Sequence, residues 1–276
     1  MYVSKAPAPR ADHTIDQDWE RYGDEEHAIW RELFARQERI LRDRAAPEFL
    51  AGLEGLGIAA DGIPDFDRLS AVLRRATGWR IVAVPGLVPD DIFFAHLANR
   101  RFPATRWIRG RDRMDYLQEP DVFHDIYGHI PLLFNPVFAD YLQAYGRGGL
   151  KALGLGALRY LARLYWYTVE FGLIRTPGGL RIYGSGIVSS KGESVHCLED
   201  PAPRRIAFDL MRVMRSEYRI DDYQECYFVI DGYDQLFEAT RPDFTPYYAE
   251  LETLGDIPPG TVLPEDRLVP PNPPRG

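Results

Sequence analysis

Cysteine is scarce: Cys197 and Cys226 are the only two in 276 residues. A pair cannot build a disulfide framework, so stability must come from a buried core, and a reducing cytoplasm is the natural compartment. Long apolar runs are missing as well. No stretch approaches the roughly 20 apolar residues of a membrane span. The N-terminal segment MYVSKAPAPRADHTID has no apolar h-region, which argues against a secretory signal. There is no basic block, and the net charge is −8. That balance argues against nucleic acid as the main partner and reads as a solvated acidic surface. Neither an internal repeat nor a linker able to divide the chain is visible.

What is present suits a soluble protein: 45 % hydrophobic and 27 % charged residues, enough for one core of useful size. Aromatic residues reach 13 %, and such rings mostly fill cores. The expected organisation is a loose arm over 1–14, one main unit over 15–255 and an irregular Pro-rich tail over 256–276. The expected fold class is mainly α (α+β): a helical basket with small β pieces.

The apolar stripe Trp19, Tyr22, His27, Trp30, Leu33, Phe34, Ile40 and Leu41 predicts one long amphipathic helix over 17–44. Asp65 predicts an N-cap for a helix over 66–76. Strands are expected at 80–84, 180–183 and 226–230, with an extended piece at 107–109. Pro103 reads as a break. A helix from Pro136 is expected to reach about Tyr145 and to turn at Gly146, Gly148 and Gly149. A long apolar helix follows from about Leu150 to Ile174, and further helices are expected over 204–215 and 233–240.

Chemistry concentrates in Glu119-Pro-Asp-Val-Phe-His124-Asp-Ile-Tyr-Gly-His129-Ile-Pro131. One histidine on an apolar face is commonly a hydrogen-bonded core residue. Two imidazoles within six residues shift the balance towards a shared divalent ion. Their spacing is i, i+5, not the i, i+4 of a zinc-protease helix. An ideal helix would set the rings about 140° apart. A widened turn is therefore expected, eased by the conformational freedom of Gly128. A third ligand must come from elsewhere, and Glu170 is the best choice. It lies in the apolar segment Leu164–Leu173, where a carboxylate is costly unless it is paired or bound to metal. The competing reading is a salt bridge to Arg159 or Arg175. Two histidines and one carboxylate match a facial triad that leaves sites open, which suits Fe(II). A structural zinc site would be closed by four ligands, commonly with cysteine.

Three blocks, EPDVFHDIYGHIPLL, YWYTVEFGL and YGSGIVSSKGE, carry a family resemblance. In their order and spacing, over roughly residues 15–245, the chain resembles the aromatic amino acid hydroxylases, most of all their single-domain bacterial phenylalanine-hydroxylating members. The resemblance implies that His124, His129 and Glu170 hold Fe(II), with a tetrahydropterin and dioxygen as co-substrates. It implies para-hydroxylation of L-phenylalanine to L-tyrosine, the first step of phenylalanine catabolism. By the same resemblance Arg109 clamps the substrate carboxylate and Asp121 orients Arg109. Pro120, Trp166, Phe171 and Gly186 wall the substrate ring, and Ser189 stands beside the histidine ligands. Phe93 stacks on the pterin, with Gly86, Val88, Asp125, Ala162 and Tyr165 nearby. Val229 stands where an apolar residue disfavours tyrosine as substrate.

Departures from the animal members are Asp125 in place of Glu, Leu117 in place of Thr, and the pterin loop GLVPDD over 86–91. Chain length leaves no room for their regulatory domain, and no C-terminal heptad helix for tetramers is evident, so a monomer is expected. A separate enzyme would have to recycle the pterin. The alternatives are a tryptophan hydroxylase, a zinc-dependent hydrolase and a non-catalytic module with a relic pocket.

Overall fold

The computed structural model describes residues 8–115 and 119–272. Leu117 lies outside them. Helix α1 (Asp24–Leu41) is shorter than the predicted 17–44. Gly23 is its N-cap, and the Glu26 carboxylate accepts a hydrogen bond from the Gly23 N–H at 2.8 Å. Asp24, Glu25 and Glu26 sit at the positive end of the helix dipole. Trp19–Arg21 form a separate 3₁₀ turn. Of the expected stripe Trp30, Leu33, Phe34 and Leu41 are buried, joined by Ile29, whereas Trp19 is exposed.

Helix α2 (Pro47–Leu56) and helix α3 (Phe66–Ala76) follow, and Asp65 caps α3 by accepting from the Asp67 N–H. Strand β1 (Arg80–Val84) leads to helix α4 (Asp90–Ala98) and strand β2 (Arg101–Thr105). The β1 and β2 strands pair in parallel, with Val82 opposite Pro103. This strand overturns the reading of Pro103 as a break, and 107–109 follow it without forming a strand. In a two-stranded sheet β2 has one free edge, where a residue without an N–H is tolerated.

Helix α5 (Pro136–Gly154) runs straight through the glycines expected to form a turn. Their role is close approach: a Cβ on Gly146 would lie 2.4 Å from the Ala98 nitrogen, and one on Gly149 would lie 2.0 Å from the Phe94 ring. The glycines thus let α5 lie directly on α4. The predicted helix over 150–174 is divided accordingly. Helix α6 (Leu158–Tyr165) is continued by a π turn over Trp166–Glu170, and strand β3 (Leu173–Thr176) follows.

Strand β4 (Gly179–Ile182), helix α7 (Ser185–Val188), helix α8 (Glu193–Glu199) and strand β5 (Arg204–Ala207) come next. Then come helix α9 (Leu210–Arg215), strand β6 (Cys226–Ile230), helix α10 (Tyr233–Thr240) and helix α11 (Thr245–Leu254). The expected helix over 204–215 is thus a strand and a helix, divided where the Asp209 carboxylate caps α9. The sheet has the order β4-β3-β6-β5, with only β3/β4 antiparallel. Beyond α11 the chain packs back: Asp266 pairs with Arg212 at 2.9 Å, the Val269 N–H donates to the Arg205 carbonyl, and Asn272 bonds both polar groups of Leu180. The architecture is helical with small sheets, as the sequence predicts.

Candidate metal centre

The i, i+5 histidine pair falls on a π turn spanning His124–His129. The wider turn brings the two rings together, with Nε2 to Nε2 at 3.2 Å. Gly128 does not adopt a positive φ, so conformational freedom is not what this position uses. A Cβ there would lie 3.0 Å from the Ser185 carbonyl oxygen, and the bare backbone lets α7 approach the turn. The second π turn, over Trp166–Glu170, delivers the carboxylate. Glu170 Oε1 lies 3.3 Å from His129 Nε2, and Oε2 lies 3.7 Å from His124 Nε2. The salt-bridge alternative is not realised: Arg175 pairs with Asp231 and Arg159 donates to the Tyr160 hydroxyl.

Neighbouring groups hold these side chains. The Ser189 hydroxyl donates to the Ser185 carbonyl at 2.7 Å and lies 2.9 Å from His124 Nδ1. With its own proton used, Ser189 accepts from Nδ1–H, so the Nε2 lone pair faces the other two groups. The Ser185 hydroxyl lies 2.9 Å from Glu170 Oε2. Burial drives the His124 imidazole down to about 4, against the pull of Glu170, so it is neutral at pH 7 and fit to donate to a metal. Burial raises the Glu170 carboxyl, but His129, His124 and Ser185 outweigh it and bring it down to about 2.

The three donor atoms lie within 4.8 Å of one another, and no other group of three or more such side chains occurs among the described residues. Cys197 and Cys226 are buried elsewhere, unpaired. Two imidazole nitrogens and one carboxylate fit a divalent iron, and three protein donors would leave positions for exogenous ligands.

Two cavities meet at this cluster. The larger, about 460 Å³, is lined by Arg109, Pro120, Trp166, Phe171, Gly186 and Ser189 together with His124 and Glu170. Trp166 stacks on Tyr218 at 4.2 Å and lies 4.6 Å from Phe171. Its indole N–H donates to Gln224 Oε1 at 2.9 Å. Asp121 stands behind Arg109 and binds it. The smaller cavity, about 240 Å³, is lined by Gly86, Val88, Phe93, Asp125 and Tyr165 with His124, His129, Glu170 and Pro120. Asp125 accepts from the Thr105 N–H at 2.7 Å and from its hydroxyl at 2.8 Å. Burial outweighs these bonds and pushes the Asp125 carboxyl up to about 7.

Three of the sequence-derived residues line neither cavity. Asp121 lies behind Arg109. Val229 is buried in β6, paired with Leu173 and Ala207, and Ala162 sits on α6 one turn before Tyr165. Other lining residues were not singled out from the sequence: Thr105 and Phe102 on the smaller side, Glu193 and Gln224 on the larger. Glu193 did have a sequence cue, since it closes the YGSGIVSSKGE block. Gln224 had none.

Comparison with known proteins agrees with this geometry. The family described as "Biopterin-dependent aromatic amino acid hydroxylase" matches residues 13–251. A phenylalanine-4-hydroxylase of Ralstonia nicotianae is 64 % identical over 260 residues, covering 94 % of this chain and 83 % of that protein. One from Caulobacter vibrioides is 58 % identical, covering 97 % and 92 %. The crystal structure of Chromobacterium violaceum phenylalanine hydroxylase with bound oxidised Fe(III) superposes with a TM-score of 0.91 at 59 % identity, covering 94 % of each chain. The iron- and phenylalanine-bound form of that enzyme gives 0.91 at 57 %, covering 95 % of this chain and 96 % of the other. On sequence, fold and metal-site geometry together, the chain belongs to the biopterin-dependent aromatic amino acid hydroxylases.

Proposed function

We propose that the protein is a phenylalanine 4-monooxygenase, converting L-phenylalanine to L-tyrosine with Fe(II), dioxygen and a tetrahydropterin. The observation that carries this reading is the meeting of two separate cavities at one three-donor cluster. His124 Nε2, His129 Nε2 and a Glu170 oxygen would hold the iron. Held there, iron would supply a coordination position at which dioxygen is activated, and the tetrahydropterin would supply the two electrons that accompany ring hydroxylation.

The chain's own residues place and protect the reactants. The larger cavity receives the amino acid. Arg109 is fixed by Asp121 through Nε and Nη2, and its Nη1 makes no hydrogen bond among the described residues. A guanidinium so held suits a carboxylate. Trp166, Phe171 and Pro120 offer apolar faces to an uncharged ring and exclude water from the reacting carbon. The smaller cavity receives the pterin, with Phe93 and Tyr165 as aromatic surfaces and Asp125 as a polar partner. Placement of both organic reactants beside one ion is the protein's main contribution to rate.

Among the described residues no helix is long and apolar enough to cross a membrane. The two unpaired thiols fit a reducing cytoplasm, and we place the enzyme there as a monomer served by a separate pterin-recycling enzyme. The test is to supply purified protein with Fe(II), reduced pterin, oxygen and phenylalanine and to follow tyrosine by chromatography. Tyrosine should form only when all four are present. No product, or product formed without oxygen, refutes the reading.

A further inference from the structure

Glu193 lines the same cavity as Arg109 yet is only 4 % exposed. Its Oε1 accepts from the Gln224 backbone N–H at 3.1 Å and from the Tyr227 hydroxyl. Among the described residues Oε2 has no hydrogen-bond partner, and neither lysine nor arginine pairs with this carboxylate. A buried carboxylate without a counter-charge is costly. Burial is the largest influence on its pKa and raises it, against the bonds from Tyr227 and Gln224. The remaining acids of the cavity differ in kind. Asp115, Glu119, Asp221 and Asp222 are exposed to water, and Glu170 faces the imidazoles. One cavity thus holds a guanidinium with a free edge and a buried carboxylate that pairs with no lysine or arginine among the described residues and feels only a lesser pull from His196.

Building on the assignment of this cavity to an amino acid, we propose that Glu193 receives the substrate's α-ammonium group while Arg109 takes its carboxylate. The enzyme would then select the zwitterion and not simply a benzene ring. The same contact would link the charged end of the substrate to the wall around its ring. Gln224 donates to Glu193 through its backbone N–H and accepts from Trp166 through its side chain.

The test measures binding to the Fe(II)-loaded enzyme by calorimetry without oxygen. The ligands are L-phenylalanine, 3-phenylpropanoate (no ammonium), 2-phenylethylamine (no carboxylate) and 2-phenylethanol (neither charge). A charge-assisted hydrogen bond should make the wild type prefer the amine over the alcohol by at least about tenfold. Glu193→Gln should erase that preference and weaken L-phenylalanine by about tenfold or more, leaving 3-phenylpropanoate within about threefold. Equal wild-type affinity for amine and alcohol overturns the proposal. So does a Glu193→Gln variant that loses phenylalanine and phenylpropanoate equally, since that marks a purely structural role. The wild-type comparison decides the matter even if the variant does not fold. Tyrosine formation by the wild type is scored separately: its absence would count against the hydroxylase reading and not against the ammonium contact.

Discussion

Arg109 and Asp121 are joined by three hydrogen bonds. Nε and the backbone N–H donate to Oδ2 at 2.8 and 2.9 Å, and Nη2 donates to Oδ1 at 2.8 Å. Asp121 is fully buried, and Oδ1 also accepts from the His124 backbone N–H at 3.0 Å. One carboxylate therefore fixes both the proposed substrate clamp and the start of the metal-binding turn. Removing it strands a buried guanidinium. Asp121→Ala should destabilise the protein by about 3–5 kcal/mol and raise the KM for phenylalanine. Denaturant titration and initial rates check both effects.

Ser189 fixes the tautomer of His124 by accepting its Nδ1–H. Ser189→Ala should leave the fold intact and weaken iron binding by about 10–100-fold. Competition with a chelator of known affinity measures this. Unchanged affinity would mean that Ser189 does not orient the ligand.

Acid should destabilise the iron-free protein in two overlapping steps. The folded His124 imidazole lies at about 4, below its ordinary value near 6.5, so the unfolded chain takes up a proton first as pH falls. Stability is then lost from about pH 6.5 down to about 4. The folded Glu170 carboxyl lies at about 2, below its ordinary 4.5, so its contribution is complete above 4.5 and disappears as pH falls towards 2. Both slopes have the same sign. Melting temperatures of the iron-free protein should fall steadily on acidification, and Glu170→Gln should flatten the lower part of the curve.

Gly149 lets the Phe94 ring lie against α5. Gly149→Ala should cost about 1–3 kcal/mol through overpacking. Because α4 also carries Phe93, displacement of that helix should raise the KM for the pterin more than the KM for phenylalanine. Thermal melts and two-substrate kinetics test the two halves of this prediction.

The metal site was readable in the sequence because its chemistry is local. Core packing alone gives little reason for two histidines at i, i+5 and a carboxylate in an apolar segment. Their spacing also required the widened turn that the structure contains. The resemblance carried by three short blocks then pointed to about half of the residues that line the two cavities. What escaped notice depended on distant partners. Pro103 looks like a breaker until β1 supplies a partner strand with Val82 opposite it. Gly146 and Gly149 look like a turn until α4 is laid against them. Gln224 is unremarkable until Trp166 is seen to donate to it. Val229 carries an alignment argument, but β3 and β5 enclose it on both sides.

Pro120, His124 and Glu170 line both cavities. On the proposed assignment each organic reactant has its own cavity, and the two cavities share a wall at the metal-binding side chains. Two cavities of this kind would let one complex hold both molecules at once. Saturating one cavity with its ligand should then leave the other able to bind.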